Sequence, residues 1–493
     1  MLSPQHVSGR LTGLSFVLLM ALLVTACSRP AEPTPAPAAE PVSAEAPALA
    51  GPWQGRINLP GAGLEIIVAL AQEDGAWSGT IDVPAQGAAG IELHDIRVTA
   101  DAVYFEMLSG PQTATFDGQV QPDGSISGVF RQMGVEGSFE LARPQEPVAA
   151  EPLPYVEQEV TFPSGDVTLA GTLTLPEGDG PFPALILLSG SGQQDRDETL
   201  PTVPGYRPFR EIADTLTRQG IAVLRYDDRG VGGSTGDPLA ATSADFADDA
   251  EAALAFLHGR ADIDRQQIGF LGHSEGGILA AMLAARNPDA PFVISMAGTA
   301  VNCYETVVKH VERLALAAGG SQAEAEEAAR MQRDVLDLVM LQAWDSLQGA
   351  LYDIALKQIA ALPAEQRTAL GDANALAQQQ VAAQMQIFQS PWYQFFLSHD
   401  PCNDWAQVTA PVLGLYGGND TQVDAGQNSA ALEAALARAG NDDVTIQVLP
   451  SANHLFQDAT TGGVDEYAAL PPQLMPEFLE AISQWLLARV QLP

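Results

Sequence analysis

Ile268-Gly269-Phe270-Leu271-Gly272-His273-Ser274-Glu275-Gly276-Gly277 joins a short apolar run to an alanine-rich stretch, Ile278 to Arg286. The run reads as a strand and the stretch as a helix, so Ser274 stands at a sharp strand-to-helix turn. A hydroxyl projecting from such a turn is a usable nucleophile. The turn needs glycine two residues before and two after, so that neighbouring main chain can approach. Gly272 and Gly276 occupy those places. In a chain with 45 glycines the spacing Gly-x-Ser-x-Gly carries modest weight by itself. The strand before it and the helix after it separate it from an ordinary glycine-bounded turn.

On either side of this turn, strand runs alternate with helical stretches. Ala184 to Leu188 precedes Phe209 to Arg218, Ala222 to Tyr226 precedes Asp245 to His258, and Phe292 to Met296 follows the serine helix. That alternation predicts an α/β fold, a mostly parallel sheet with helices on both faces. From Thr299 to about Asp404 the strand signal stops and alanine, leucine, glutamine and glutamate recur at helical spacing. Strand and helix resume with Val412 to Tyr416, Gln427 to Ala439, Val444 to Leu449 and Pro476 to Val490. The helical block is therefore expected as a cap inserted after the sixth strand. The core is expected over residues 155–300 and 409–493, with the cap over 301–408.

Before the linker Pro144 to Pro154 the period is different. Leu64 to Leu70, Trp77 to Val83, Ile91 to Val98, Ala102 to Met107, Thr113 to Val120, Ser125 to Phe130 and Gly137 to Leu141 are short alternating runs broken by glycine and aspartate turns. They predict a separate antiparallel β-domain over residues 51–145. Trp53 and Trp77 are expected to pack in its core, and no partner for this domain can be read from its residues.

At 493 residues the chain is long enough for two or three compact units. Its formal charge of -38 arises from scarcity of bases, 23 against 61 acids, with Lys309 and Lys357 the two lysines. A field of this sign repels polyanions, so nucleic acid is not expected as a partner and small neutral or cationic molecules are favoured.

The N-terminus carries Arg10, an apolar run from Leu14 to Val24, and Val24-Thr25-Ala26-Cys27, which resembles the lipobox of bacterial lipoprotein signal peptides. The run is too short for a permanent membrane-spanning helix. The resemblance implies cleavage after residue 26 and lipidation of Cys27. With Ser28 rather than Asp after the cysteine, it implies retention at the outer membrane of a Gram-negative envelope. Residues 27–50 are nearly all Pro, Ala, Glu, Ser, Thr and Val, too poor in large apolar groups to fold, and read as a tether.

A serine nucleophile needs a base within hydrogen-bond reach and an acid to orient it. Of the seven histidines, His6 is in the signal, His94 in the β-domain and His258 at a helix end. His310 and His399 lie in the cap, and His273 is part of the turn itself. His454, in the loop Pro450-Ser451-Ala452-Asn453-His454 after the last strand, remains as the base. Asp420 closes Gly417-Gly418-Asn419-Asp420 just beyond Val412 to Tyr416 and supplies the acid. The chain order Ser274, Asp420, His454 is that of α/β-hydrolases. Ala184 to Leu188 runs into Ser189-Gly190-Ser191-Gly192, where the sheet offers a backbone N–H beside that of the residue after the nucleophile. The Ser191 and Glu275 amides are assigned as oxyanion donors. No Cys or His cluster has metal-ligand spacing, so neither a metal nor a cofactor is expected.

Ser189-Gly190-Ser191-Gly192-x-x-Asp195-Arg196-Asp197, Asp228-Arg229-Gly230-x-Gly232-x-Ser234, Gly272-His273-Ser274-Glu275-Gly276 and Pro391-Trp392 through Phe396 to Asp400-Pro401 resemble the EstD-type bacterial carboxylesterases of the α/β-hydrolase superfamily. The resemblance covers roughly Tyr155 to Pro493 and implies an α/β-hydrolase fold with a helical cap and serine esterase activity. The added β-domain departs from it, as do Cys303 and Cys402 at the two ends of the cap. In an oxidising envelope compartment two thiols so placed suggest a disulfide. Asp228-Arg229-Gly230 is not a dinucleotide loop, because Asp237 and Pro238 intervene before the next helix. Asp228 and Arg229 are expected instead to brace neighbouring loops through a buried ion pair. Trp392, Tyr393, Phe395 and Phe396 read equally as an acyl pocket or as a packed neck.

Three functions are compatible with these residues. The leading one is hydrolysis of small neutral carboxylic esters through an acyl-enzyme on Ser274. A serine aminopeptidase-like activity on short peptides is the second, and acids placed to hold a substrate amine would favour it. The third is a non-catalytic envelope-binding lipoprotein, against which the complete triad argues.

Overall fold

The computed structural model describes residues 49–493 apart from 60–61, 74, 84–87, 110–111, 133–134, 145–151, 201, 365–366, 368–369 and 371. The expected signal peptide, Cys27 and most of the tether lie outside the described residues. The chain forms two compact units that divide between Pro152 and Leu153.

The first unit is a closed antiparallel barrel of eight strands: β1 (Gly51–Leu59), β2 (Ala62–Glu73), β3 (Ala76–Val83), β4 (Ala88–Val98), β5 (Ala102–Ser109), β6 (Gln112–Val120), β7 (Ile126–Gln132) and β8 (Val135–Ala142). Each pairs with its chain neighbour, and β8 returns to β1 with Ile57 opposite Phe139 and Gly55 opposite Leu141. Alternate residues point inward, as the two-residue period of a strand requires. Phe105, Phe116 and Phe139 are fully buried, and Phe116 stacks on Phe105 with ring centroids 4.6 Å apart. An eight-stranded barrel is just wide enough for side chains to fill. Strand β1 is absent from the sequence reading. Its alternation is thin, because Gly55 falls between the inward residues Trp53 and Ile57. Trp53 is held by its indole N–H, which donates to Leu49 O at 3.0 Å, and by the Arg143 guanidinium lying 4.0 Å over its ring.

The second unit is built on a sheet of eight strands: β9 (Tyr155–Ser164), β10 (Val167–Pro176), β11 (Phe182–Leu188), β12 (Ala222–Tyr226), β13 (Ile263–His273), β14 (Val293–Met296), β15 (Val412–Gly417) and β16 (Val444–Leu449). Their spatial order is β16-β15-β14-β13-β11-β12-β10-β9. Strand β10 runs antiparallel to both its neighbours, and the pairs from β12 to β16 are parallel. This is the topology of the α/β-hydrolase fold. Central strands covered on both faces read as continuous apolar runs, and every residue of β11 is buried. Ala184, Ile186 and Leu188 pack with α2 (Ser243–His258) and α3 (Glu275–Arg286). Leu185 and Leu187 face the other way, onto α1 (Pro208–Thr217).

Between β14 and β15 the chain leaves the sheet for the cap, whose described helices are α4 (Cys303–Ala317), α5 (Gln322–Met340), α6 (Trp344–Ala361), α7 (Ala373–Phe388), α8 (Pro391–Ser398) and α9 (Cys402–Trp405). A capping box between Ser321 and Glu324 starts α5. Leu336, Val339, Leu347, Leu351 and Val381 give the cap a core of its own. Two further helices, α10 (Ala425–Ala439) and α11 (Pro476–Leu487), complete the sheet's flanks, α10 on the same face as α2 and α3 and α11 on the same face as α1.

The expected Cys303 to Cys402 disulfide is not formed, and both are free thiols. Cys303 is fully buried in the sheet's helical flank, where burial pushes its thiol pKa well up. The Cys402 sulfur is instead held by the Arg438 guanidinium, 3.0 Å away.

Strand β13 enters α3 through a turn with no spare room. A Cβ at position 276 would lie 2.1 Å from Leu188 O and 2.7 Å from Ser189 O, both main-chain atoms of the neighbouring strand end. Gly276→Ala should therefore destabilise this unit by about 1–3 kcal/mol, as overpacking of a tight interior does. Urea unfolding of the full chain checks this, and a variant as stable as wild type would contradict the packing.

Candidate active site

Ser274 sits at φ 54° and ψ -115°, a conformation that L residues avoid. The turn is held by the Ser274 N–H, which donates to Met296 O at 2.9 Å, and by the absence of side chains at its flanks. A Cβ at position 272 would meet Gly276 O at 1.9 Å. The hydroxyl is thus presented at the N-terminus of α3, above the C-terminal edge of the parallel strands.

His454 and Asp420 are brought together from the loops after β16 and β15. His454 Nδ1 lies 2.8 Å from Asp420 Oδ2, and Asp420 is fully buried. Its other oxygen accepts from the Gln422 and Val423 N–H groups at 2.7 and 2.9 Å, so the carboxylate cannot rotate away. The Asn453 side-chain carbonyl shapes the histidine loop, accepting from Leu455 N–H and Gln457 N–H at 2.9 Å each. The loop is tied to the serine turn through His273, whose Nε2 is 3.0 Å from the carbonyl oxygen of His454. The two imidazole rings are 4.9 Å apart.

The segment Ser189 to Gly192, expected to supply an oxyanion donor, lies beside the serine. A Cβ on Gly190 would be 3.3 Å from the Ser274 Cβ. The Gly190 N–H is already used, donating to Glu198 Oε1 at 2.7 Å. The Ser191 and Glu275 amides donate to no acceptor among the described residues, which leaves them available to an oxyanion. Asp228 holds the segment in place, accepting from Ser189 Oγ at 2.6 Å and from the Gln194 N–H at 3.0 Å.

Sequence reasoning expected Asp228 and Arg229 to share an ion pair, and the structure corrects this. Arg229 pairs with Asp249 at 2.7 Å, Asp227 pairs with Arg196 at 2.8 Å, and Asp228 pairs with no cation among the described residues. Both residues lie past the end of β12, where the chain turns, and their side chains reach different partners: Asp228 the loop after β11 and Arg229 helix α2. Burial pushes the Asp228 carboxyl up to about 8, against the hydrogen bonds from Ser189 and Gln194.

Several groups that contact the site were missed from sequence. Glu275 contributes a buried carboxyl as well as its amide. It accepts from Ser243 Oγ at 2.5 Å and from Trp392 Nε1 at 2.9 Å, so cap helix α8 docks on the residue after Ser274. Trp392 also stacks on Phe396, a packed neck with one polar contact to the site. His310, set aside as a cap residue, reaches the acid loop, where its Nδ1–H donates to Thr421 O at 2.8 Å. Burial lowers its pKa and keeps it neutral. A capping helix that follows the sixth strand must pass over the ends of the sheet, and that was the one signal for these contacts.

With its carboxyl raised, folded Asp228 keeps a proton that the unfolded chain releases near ~4, so it costs stability as pH rises from there to about 8. Asp228→Asn removes this titration and keeps an acceptor for Gln194. The melting temperature of the variant relative to wild type should therefore rise between pH 4 and pH 8. A difference that does not change with pH would show that Asp228 is ionised in the folded state.

A family model, X-Pro dipeptidyl-peptidase (S15 family), matches residues 164–455, which is more than half of the chain. Esterase EstD of Thermotoga maritima is 31% identical over 198 residues, 40% of this chain and 44% of that protein. An uncharacterised protein of Mycobacterium tuberculosis is 31% identical over 149 residues, 30% of this chain and 48% of its own length. The chain thus spans less than half the length of these curated relatives. Among solved structures, the Pyrococcus furiosus esterase Pf2001 aligns over 71% of this chain and 97% of its own at 15% identity and a TM-score of 0.42. A dienelactone hydrolase from Anabaena variabilis aligns over 69% and 100% at 18% identity and a TM-score of 0.36. With the family match running from β9 through the elbow and the acid to the histidine loop, the chain belongs to the X-Pro dipeptidyl-peptidase (S15) family.

Proposed function

We propose that this protein is a serine hydrolase that cleaves small neutral carboxylic esters through an acyl-enzyme on Ser274. The observation that carries the proposal is the buried His454–Asp420 pair, tied at 3.0 Å to the residue that precedes a strained serine. Ser274 Oγ attacks the carbonyl carbon while its proton passes to His454 Nε2. Asp420 keeps the other ring nitrogen protonated and steadies the imidazolium that forms. The oxyanion accepts from the Ser191 and Glu275 amides, and collapse breaks the C–O bond as His454 returns the proton to the leaving alcohol. Water then attacks the acyl-enzyme, giving its proton to His454, and Ser274 leaves with that proton as the carboxylic acid is released. Neutral substrates fit the strongly acidic chain better than anions do. An EstD-type carboxylesterase is the closest description of this chemistry, and the Val24 to Cys27 motif supports a lipid-anchored protein of the outer membrane.

A second reading, a peptidase acting on short peptides, is favoured by the family itself. Rates on p-nitrophenyl esters against aminoacyl-prolyl nitroanilides separate the two readings.

Ser274→Ala should leave less than about one hundredth of the wild-type rate with the fold intact, because the covalent step is lost and only binding and oxyanion contributions remain. A larger residue of activity would remove Ser274 from the mechanism. His454→Ala should lose most of kcat/KM as well, because the serine proton then has no acceptor, and full activity in that variant would exclude His454 as the base.

A further inference from the structure

Behind the triad lies a buried pair that the proposed chemistry does not use. Glu198, in the loop after β11, is 3% exposed and held at φ 54°, a backbone conformation that a glutamate adopts only when its surroundings impose it. Its Oε1 accepts the Gly190 N–H at 2.7 Å and lies 2.9 Å from Nδ1 of His273, whose Nε2 is 3.0 Å from His454 O. A carbonyl oxygen only accepts, so Nε2 carries a proton. A carboxylate also only accepts, so the geometry suits a His273 protonated on both nitrogens. The second carboxylate oxygen, Oε2, is buried with no partner among the described residues, which leaves Oε1 as the anchor.

We propose that Glu198 and His273 are positioning residues, a buried carboxylate–imidazolium pair that sets the oxyanion segment and the His454 loop against Ser274. The proposal rests on the serine-hydrolase reading. Three segments that must agree to within a fraction of an ångström meet at this pair. They are Gly190 through its amide, Ser274 through its peptide bond to His273, and His454 through its carbonyl.

The charged and titratable groups facing His273 are Glu198 after β11, Asp420 after β15 and the His454 ring after β16. The Tyr206 hydroxyl, near Glu198, stays protonated through burial and donates to Leu455 O. Burial alone would lower the His273 pKa, but the charge and hydrogen bond of Glu198, with the His454 carbonyl, raise it above the ordinary imidazole value. The pair is therefore complete below the ordinary imidazole range and is lost as pH rises through the raised value. A singly protonated His273 can donate to the carboxylate or to the carbonyl, not to both. Glu198→Gln removes the counter-charge, so the second proton should leave at lower pH.

The test is kcat and KM against pH for wild type, Glu198→Gln and Glu198→Asp, with Ser274→Ala as control. We expect Glu198→Gln to lose kcat at least about tenfold at neutral pH with little change in KM, as misplacement of reacting groups does. We also expect its alkaline limb to move to lower pH and Glu198→Asp to recover part of both. Wild-type kcat and limb in Glu198→Gln would overturn the proposal. So would an equal loss at every pH without recovery in Glu198→Asp, which would make Glu198 a purely structural residue. Should Glu198→Gln fail to fold by circular dichroism, the wild-type profile decides: an alkaline fall supports the proposal, and a level alkaline profile overturns it. Activity surviving in Ser274→Ala would instead defeat the serine-hydrolase reading, whatever Glu198 does.

Discussion

The backbone at Ser274 is the constraint on which the rest of this unit depends. A non-glycine residue held in so sparsely populated a region costs on the order of 1–3 kcal/mol, and it persists only where the surroundings over-determine it. Here they do so on every side. The Ser274 amide is bonded to Met296 O on β14, Gly276 lies against Leu188 O on β11, and Gly277 lies against Gly298 beyond β14. The central strands are thus packed around one turn, and their buried apolar runs supply the rigidity that keeps it strained. A side chain at either flanking glycine would push the serine back toward an ordinary conformation.

Around that turn the polar groups are arranged so that each loop reports on its neighbour. Asp420 is fixed by two amides and meets His454 Nδ1, and the His454 loop is tied through its carbonyl to His273, the residue before the serine. Asp228 holds the segment after β11 at both Ser189 and Gln194, and Glu198 holds it at Gly190. The cap belongs to the same network. Trp392 holds the Glu275 carboxyl, while His310 and Arg313 reach main-chain oxygens of the Asp420 loop. It is therefore braced on both sides of the site rather than hanging from one hinge. Buried carboxyls at Glu275 and Asp228, each raised by burial, are tolerated because hydrogen-bond donors meet them.

What could be read from the sequence was what leaves a local mark. Gly272, Ser274 and Gly276 carry a backbone requirement at fixed spacing, and β11 and β13 carry unbroken apolar runs because both their faces are covered. The two-residue alternation of the barrel is visible wherever the inward residues are large, as at Phe105 and Phe116. It fades at β1, where Gly55 replaces one of them. Asp420 and His454 were found through their places at strand ends. The contacts of Glu198, His310 and Trp392 leave no such mark, because each is set by which distant loop folds over it. The cysteines failed for a related reason: their places at the ends of the cap say nothing of where the sulfurs point.

The central claim is that Ser274 is the covalent nucleophile, activated by His454. Its most direct measurement is peptide mass mapping of the full chain after reaction with an alkyl fluorophosphonate, in wild type and in His454→Ala. A single adduct on Ser274, formed rapidly in wild type and at a strongly reduced rate in His454→Ala, is the result this account predicts. An adduct on another serine, or labelling of Ser274 at the same rate without His454, would contradict it.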